Sequence, residues 1–180
     1  MYCVNEIDRI LIPDFEIKRR VAELGAQIRR DYRHAKTPLL MVVVLRGSFI
    51  FLADLVRAAD LPVEIDFVSL SSYGGTESSG DVRLLKDLDG SIEGRHALIV
   101  EDIVDTGVTL KFLKDLLNAR KPASLKLCAL LDKPSRRKVE MRVDYAGFTV
   151  PDEFLVGFGM DHNGKYRNLR DICVLKKFQE

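Results

Sequence analysis

The sequence predicts an α/β fold, with a mostly parallel central sheet flanked by helices. Three observations carry this. Residues 39–45, 98–100 and 125–131 are apolar runs with almost no polar interruption, the pattern of strands covered on both faces. Stretches with apolar residues at helical spacing lie between such runs, which argues for right-handed βαβ units. Each run ends abruptly in polar residues, and in parallel sheets ligands sit beyond the carboxyl ends of the strands. Arg46, Ser72 with Tyr73, Glu101 with Asp102, and Lys133 are therefore expected along one edge.

In chain order, Ile10-Leu11-Ile12 is a short apolar stretch closed by Pro13. Asp14 is expected to cap a helix with Ile17, Val21, Leu24 and Ile28 on one face, which Lys36 to Pro38 ends. The strand at 39–45 leads through Arg46-Gly47-Ser48 into a helix from Phe49 to about Ala59, and residues 63–70 alternate as the next strand. Residues 71–80 are rich in serine and glycine and offer little apolar surface to offset the entropy of ordering. Val82 to Leu85 suits one arm of a hairpin, and Gly74-Gly75 points to a mobile lid over about 71–85. A helix is expected from the turn at Gly107 to about Arg120, and residues 125–131 form a further strand before Asp132-Lys133-Pro134. Past Pro151, Phe154-Leu155-Val156 and residues 172–175 are short strands. The latter is expected to pair with the N-terminal segment as a small second layer, a hood built from about 1–13 and 151–180.

Composition excludes several classes. The chain of 180 residues, 47% hydrophobic, has the size of one domain with a sizeable core. Lys plus Arg (28) nearly balance Asp plus Glu (27), so no global field favours nucleic acid or membrane. The three cysteines are scattered, and Cys128 inside an apolar run reads as a small buried hydrophobe. No basic segment followed by an apolar stretch opens the chain, and a cytoplasmic protein is expected.

The most informative stretch is 97–110, Ala-Leu-Ile-Val-Glu-Asp-Ile-Val-Asp-Thr-Gly-Val-Thr-Leu. After the apolar run, Glu101 and Asp102 should mark the point where the strand leaves the core, because a buried unpaired carboxylate is very costly. Asp105, Thr106, Gly107, Val108 and Thr109 then turn into a helix carrying Leu110, Leu113 and Leu117 on one face. Such a turn aims free N–H groups and the positive helix end at one point, a cradle for phosphate. Two acids beside an anion cradle suit a ligand with both a phosphate and a sugar diol.

This stretch resembles the PRPP-binding signature of the purine phosphoribosyltransferases, PRPP being 5-phosphoribosyl 1-diphosphate. Val44-Leu45-Arg46-Gly47-Ser48, Ser71-Ser72-Tyr73-Gly74, Leu130-Leu131-Asp132-Lys133-Pro134, residues 150–157 and Asp161 through Tyr166-Arg167-Asn168-Leu169 resemble the hypoxanthine-guanine subgroup. The resemblance spans nearly the whole chain and implies a type I phosphoribosyltransferase fold acting in purine salvage. The implied reaction is Mg²⁺-dependent transfer from PRPP to hypoxanthine and guanine, with xanthine a further candidate, in a homodimer or homotetramer.

Residue by residue, the resemblance implies that Arg46 and Gly47 hold pyrophosphate in a loop with a non-proline cis peptide at Leu45-Arg46. Ser72 and Tyr73 belong to the closing loop, and Arg167 contacts pyrophosphate. Glu101 and Asp102 take the ribose hydroxyls, directly or through Mg²⁺, and Asp105 to Thr109 the 5′-phosphate, with Asp105 also the general base. Lys133 donates to the purine O6, Phe154 stacks on the base, backbone near Leu155 accepts from its N–H groups, and Asp161 ligates the metal. His162 departs from the family pattern, in which a tyrosine is more usual.

Rival readings are weaker. Asp105-Thr106-Gly107 is also the aspartic-protease triplet, but that needs a second copy in an all-β fold. Gly157-Phe158-Gly159 lacks the third glycine of a dinucleotide fingerprint. Lys133, Arg136, Arg137 and Lys138 read as a solvated basic loop, with Lys133 set apart by its strand-end position. A PRPP-sensing nucleic-acid-binding regulator on the same fold is the non-enzymatic alternative, and it would be expected to add a basic face or an extra domain.

Overall fold

The computed structural model describes residues 6–72 and 82–176, and of Ser72 the backbone alone. The elements run β1 (Ile7–Ile12), α1 (Asp14–Tyr32), β2 (Leu39–Leu45), α2 (Phe49–Ala59), β3 (Val63–Ser72), β4 (Val82–Lys86), β5 (His96–Val104), α3 (Val108–Asn118), β6 (Ser124–Asp132), β7 (Tyr145–Thr149), β8 (Leu155–Val156) and β9 (Ile172–Leu175). Six strands form one sheet in the order β4-β3-β2-β5-β6-β7. Only β4 is antiparallel to its neighbour, pairing Ser72 with Val82 as the hairpin arm does in the sequence reading. β1, β9 and β8 form a separate three-stranded sheet, the expected hood.

Strand alternation divides the core. Met41 and Val43 point to one face of β2 and join Ile17, Leu24 and Ile28 of α1 and Phe51 and Leu55 of α2. Leu40, Val42 and Val44 point to the other and join Leu110, Leu113 and Leu117 of α3. Residues such as Phe51, Leu55, Leu113 and Leu117 have no exposed surface, and each such burial contributes about 1.5–3 kcal/mol. The helices α1 and α2 meet at Gly25, where a Cβ would stand 2.5 Å from the Ala58 carbonyl carbon. Cys128 is buried in the first of these clusters. No helix among the described residues is long and apolar enough to cross a membrane.

The structure corrects several sequence expectations. Pro13, extended at ψ 153, is the N-cap of α1, and Asp14 is the first helical residue. The Asp14 backbone N–H donates to the Asp171 carboxylate at 2.8 Å, and its own carboxylate accepts from Lys18. The cap is thus supplied from the far end of the chain. β5 does not end at Val100 but continues to Val104, because β6 pairs with it through Val104↔Asp132. α3 stops at Asn118 rather than near Arg120.

β7 has no counterpart in the sequence reading. Its core, Ala146-Gly147, has no β-branched side chain, and glycine is unfavourable within strands. The close pairing with β6 explains it: a Cβ on Gly147 would stand 2.2 Å from the Leu130 carbonyl oxygen.

Candidate active site

The five parallel strands end on one edge of the sheet, and the residues just past them shape a cleft of about 1060 Å³. After β2 the Leu45–Arg46 peptide is cis and the chain turns through Gly47 into buried Ser48, whose hydroxyl donates back to the Val44 carbonyl. Gly47 admits no side chain, since a Cβ would lie 1.6 Å from Asp102 Oδ2. Gly159, at φ +103, is equally confined, its Cβ position being 2.1 Å from the Gly47 carbonyl oxygen. The turn after β2 is thus wedged between a carboxylate of β5 and the loop beyond β8.

Glu101 and Asp102 lie inside β5, not beyond it. Glu101 Oε2 is buried with no hydrogen-bond partner among the described residues. Burial, and then the neighbouring Asp102 charge, hold the Glu101 carboxyl well above the usual carboxylate range. Asp102 is pushed up to about 6 by burial, against the 2.8 Å hydrogen bond its Oδ1 accepts from the Ile103 N–H. Two adjacent carboxyls, one with an oxygen that has no donor among the described residues, are costly to the folded chain. Hydroxyl donors or a cation would relieve them.

Beyond β5, Asp105 and Thr106 lead to Gly107, which at φ +81 is the N-cap of α3. Thr106 Oγ1 accepts weakly from the Val108 N–H at 3.4 Å, and Val108 and Thr109 lie in the first helical turn. This is the helix N-terminus expected to cradle an anion.

The basic loop after β6 is solvated at Arg136 and Lys138 but not at Arg137. Pro134–Arg136 is a 3-10 turn that folds the chain back over the anion cradle. Arg137 is largely buried, donates to the Asp105 carbonyl at 2.9 Å, and pairs with Asp132. Its Cδ would stand 3.1 Å from a Cβ on Gly107. Arg136 Nε stands 2.9 Å from Asp105 Oδ1. Sequence reasoning missed both arginines. The one available signal was Pro134 directly after the strand, which forces a turn there.

Lys133 is buried at 6% exposure, yet its ammonium donates to the Glu153 carbonyl at 2.9 Å and lies 3.9 Å from Asp152. Glu153 is held in turn by Arg9 of the hood at 2.5 Å. Phe154 is 55% exposed, an unusual state for a phenyl ring, and it meets the His162 ring edge to face with centroids 5.0 Å apart. His162 therefore packs against the exposed Phe154 ring. Asp161 is occupied on both oxygens, by Arg167 at 2.7 Å and by the Gly164 N–H at 2.7 Å.

Asp102, Asp105, Lys133, Phe154, Leu155 and Asp161 come from separate stretches of chain and line one cleft. Arg46, Gly47, Glu101, residues 106–109 and Arg167 are not part of that wall. Gly47 and Arg167 reach it through Asp102 and Asp161, whereas Arg46 is exposed beside it in sequence at the end of β2. Ser72 ends β3, and Tyr73 lies outside the described residues, as does most of the expected lid.

Residues 13–163 match the family described as phosphoribosyl transferase domain. The chain belongs to that family. Its relatives narrow the branch. Hypoxanthine phosphoribosyltransferase of Haemophilus influenzae is 56% identical over 162 residues, 89% of this chain and 90% of its own. Hypoxanthine-guanine phosphoribosyltransferase of Bacillus subtilis is 48% identical over 96% of this chain and 95% of its own. Among solved structures, the Trypanosoma cruzi hypoxanthine phosphoribosyltransferase in a ternary substrates complex superposes with a TM-score of 0.90 at 45% identity, covering 96% of this chain and 97% of that one. This phosphoribosyltransferase therefore sits in the hypoxanthine branch, and the strand-end cleft is its candidate active site.

Proposed function

We propose that this phosphoribosyltransferase transfers the 5-phosphoribosyl group of PRPP to hypoxanthine and guanine, releasing pyrophosphate and forming IMP or GMP. The observation that carries the substrate is Lys133. Its buried ammonium spends one donor on the Glu153 carbonyl, and the cleft also holds Asp102 and Asp105 from the PRPP stretch. An ammonium has three donors and no acceptor, which suits a 6-oxo group and not a 6-amino group.

Glu101 and Asp102 take the ribose hydroxyls, and the unpartnered Glu101 oxygen supports this. The turn from Asp105 to Thr109 takes the 5′-phosphate. Arg46, Gly47 and Arg167 serve the diphosphate, with Ser72 and Tyr73 closing from the β3 side. Phe154 stacks on the base and backbone at Leu155 accepts from it.

Mg²⁺ fits the donor set as a shared ion. Among the described residues no three His, Cys, Asp or Glu side chains are grouped to hold a metal, so substrate oxygens and water must complete its shell. Glu101, Asp102 and Asp161 are the residues that would hold it, and when bound it supplies charge stabilisation for the departing diphosphate. Displacing diphosphate from C1 passes through an oxocarbenium-like centre, so the protein mainly positions reactants and stabilises charge. The N9–C1 bond forms as the C1–O bond breaks, and the purine proton leaves to Asp105 as general base.

The test is pyrophosphate release from PRPP and Mg²⁺ with hypoxanthine, guanine, xanthine and adenine in turn. Hypoxanthine and guanine should react and adenine fall behind by several powers of ten, as when a polar site meets a mismatched analogue. Equal rates with adenine would overturn the assignment.

A further inference from the structure

The general-base candidate and the 6-oxo donor stand on one side of the cleft, and a third charged group lies between them. Arg136 Nε is 2.9 Å from Asp105 Oδ1, and its Nη1 is 3.4 Å from Asp152 Oδ1, the carboxylate that lies 3.9 Å from Lys133. Arg136 lines the cleft with these residues. Its hold on Asp105 is charge proximity without alignment: Oδ1 is buried and receives no directed hydrogen bond. Arg137, by contrast, grips the Asp105 main chain with an aligned bond of 2.9 Å. The backbone at Asp105 is therefore secured without Arg136, whose guanidinium has no aligned partner on the carboxylate.

We propose that Arg136 is a specificity-determining residue that reads the N7/O6 edge of the purine. The assignment rests on the 6-oxopurine reading above. If Asp105 faces the imidazole edge and Lys133 the 6-oxo group, a group bracketed by both lies along the edge joining them. When the purine gives its proton to Asp105, two things change together. Asp105 becomes neutral and loses its attraction for the guanidinium, and the ring nitrogen becomes a bare acceptor beside O6. Adjacent N7 and O6 acceptors are the pattern that a guanidinium fork matches with two parallel N–H groups. Arg136 thus exchanges a charge contact with the base for a bidentate contact with the product edge. An adenine nucleotide presents an amino group in place of O6 and cannot complete the fork.

Calorimetric titration of IMP, 7-deaza-IMP and ribose 5-phosphate into wild type, Arg136→Gln and Arg136→Lys tests this. The glutamine variant should lose about tenfold or more in IMP affinity, the range of a bidentate arginine–purine contact. Ribose 5-phosphate affinity should stay unchanged, and lysine should restore part of the loss. With 7-deaza-IMP, which lacks the N7 acceptor, wild type and glutamine variant should converge. Unchanged or tighter IMP binding by Arg136→Gln overturns the proposal, as does a parallel loss of ribose 5-phosphate affinity, which would make Arg136 a scaffold of the site. A wild type that binds ribose 5-phosphate but not IMP overturns the 6-oxopurine reading itself, and this assignment with it.

Discussion

Asp102→Asn separates what the site needs from what the fold needs. Burial in β5 pushes the Asp102 carboxyl up to about 6 from its ordinary 3.8. A carboxyl raised in the folded state binds its proton more tightly there than in the unfolded chain. Stability therefore falls as pH rises from 3.8 through 6, and the full penalty applies above 6. At pH 7.5 the ionised group costs about 3 kcal/mol in the ligand-free protein. At pH 5 about half of that remains. Asparagine keeps an acceptor for the Ile103 N–H and carries no charge, and it also removes the charge that burdens Glu101. The variant should melt higher than wild type at pH 7.5, by up to about 6–12 °C for a domain of this size. The gap should narrow at pH 5, and binding of PRPP with Mg²⁺ should be lost. The assay is thermal unfolding of metal-free, ligand-free protein in chelator at pH 7.5, 6 and 5. A variant that melts no higher than wild type at pH 7.5, or a gap that does not close on acidification, would refute the reasoning that this carboxylate is held at a cost for a ligand.

Three further outcomes follow from the geometry. Gly47→Ala places a methyl 1.6 Å from Asp102 Oδ2 and must displace that carboxylate; ribose 5-phosphate affinity, read by calorimetry, should fall at least tenfold while the protein stays folded. Asp105→Asn cannot accept the purine proton, so its single-turnover rate should drop by ~10²–10⁴-fold with a near-normal PRPP dissociation constant; an unchanged chemical step with weakened PRPP binding would return Asp105 to a structural role in the phosphate turn. Gly25→Ala drives a methyl into the Ala58 backbone and should destabilise by about 1–3 kcal/mol in denaturant melts, and a stability equal to wild type would show that the α1–α2 contact yields freely.

The sequence by itself determined the parallel sheet, the pairing of the N- and C-terminal strands and the strand–turn–helix at 97–110. Continuous apolar runs at 39–45 and 127–131 require cover on both faces, and an Asp-Thr-Gly turn between a strand and an amphipathic helix marks a helix N-terminus. Period and turn chemistry are local, so they survive being read one residue at a time. The tertiary structure alone decided three matters. β7 exists because Gly147 lets it approach Leu130, a fact about a neighbouring strand and not about its own weak pattern. Glu101 and Asp102 remain inside β5 because β6 extends the pairing past them, so they are half-buried at the cleft where their own chemistry would place them outside the strand. Arg136 and Arg137 turn onto Asp105 because the chain folds back after Pro134, and nothing in four basic residues distinguishes a solvated loop from a clamp. In each case the missing term was the identity of the surface across the gap, and only packing supplies that.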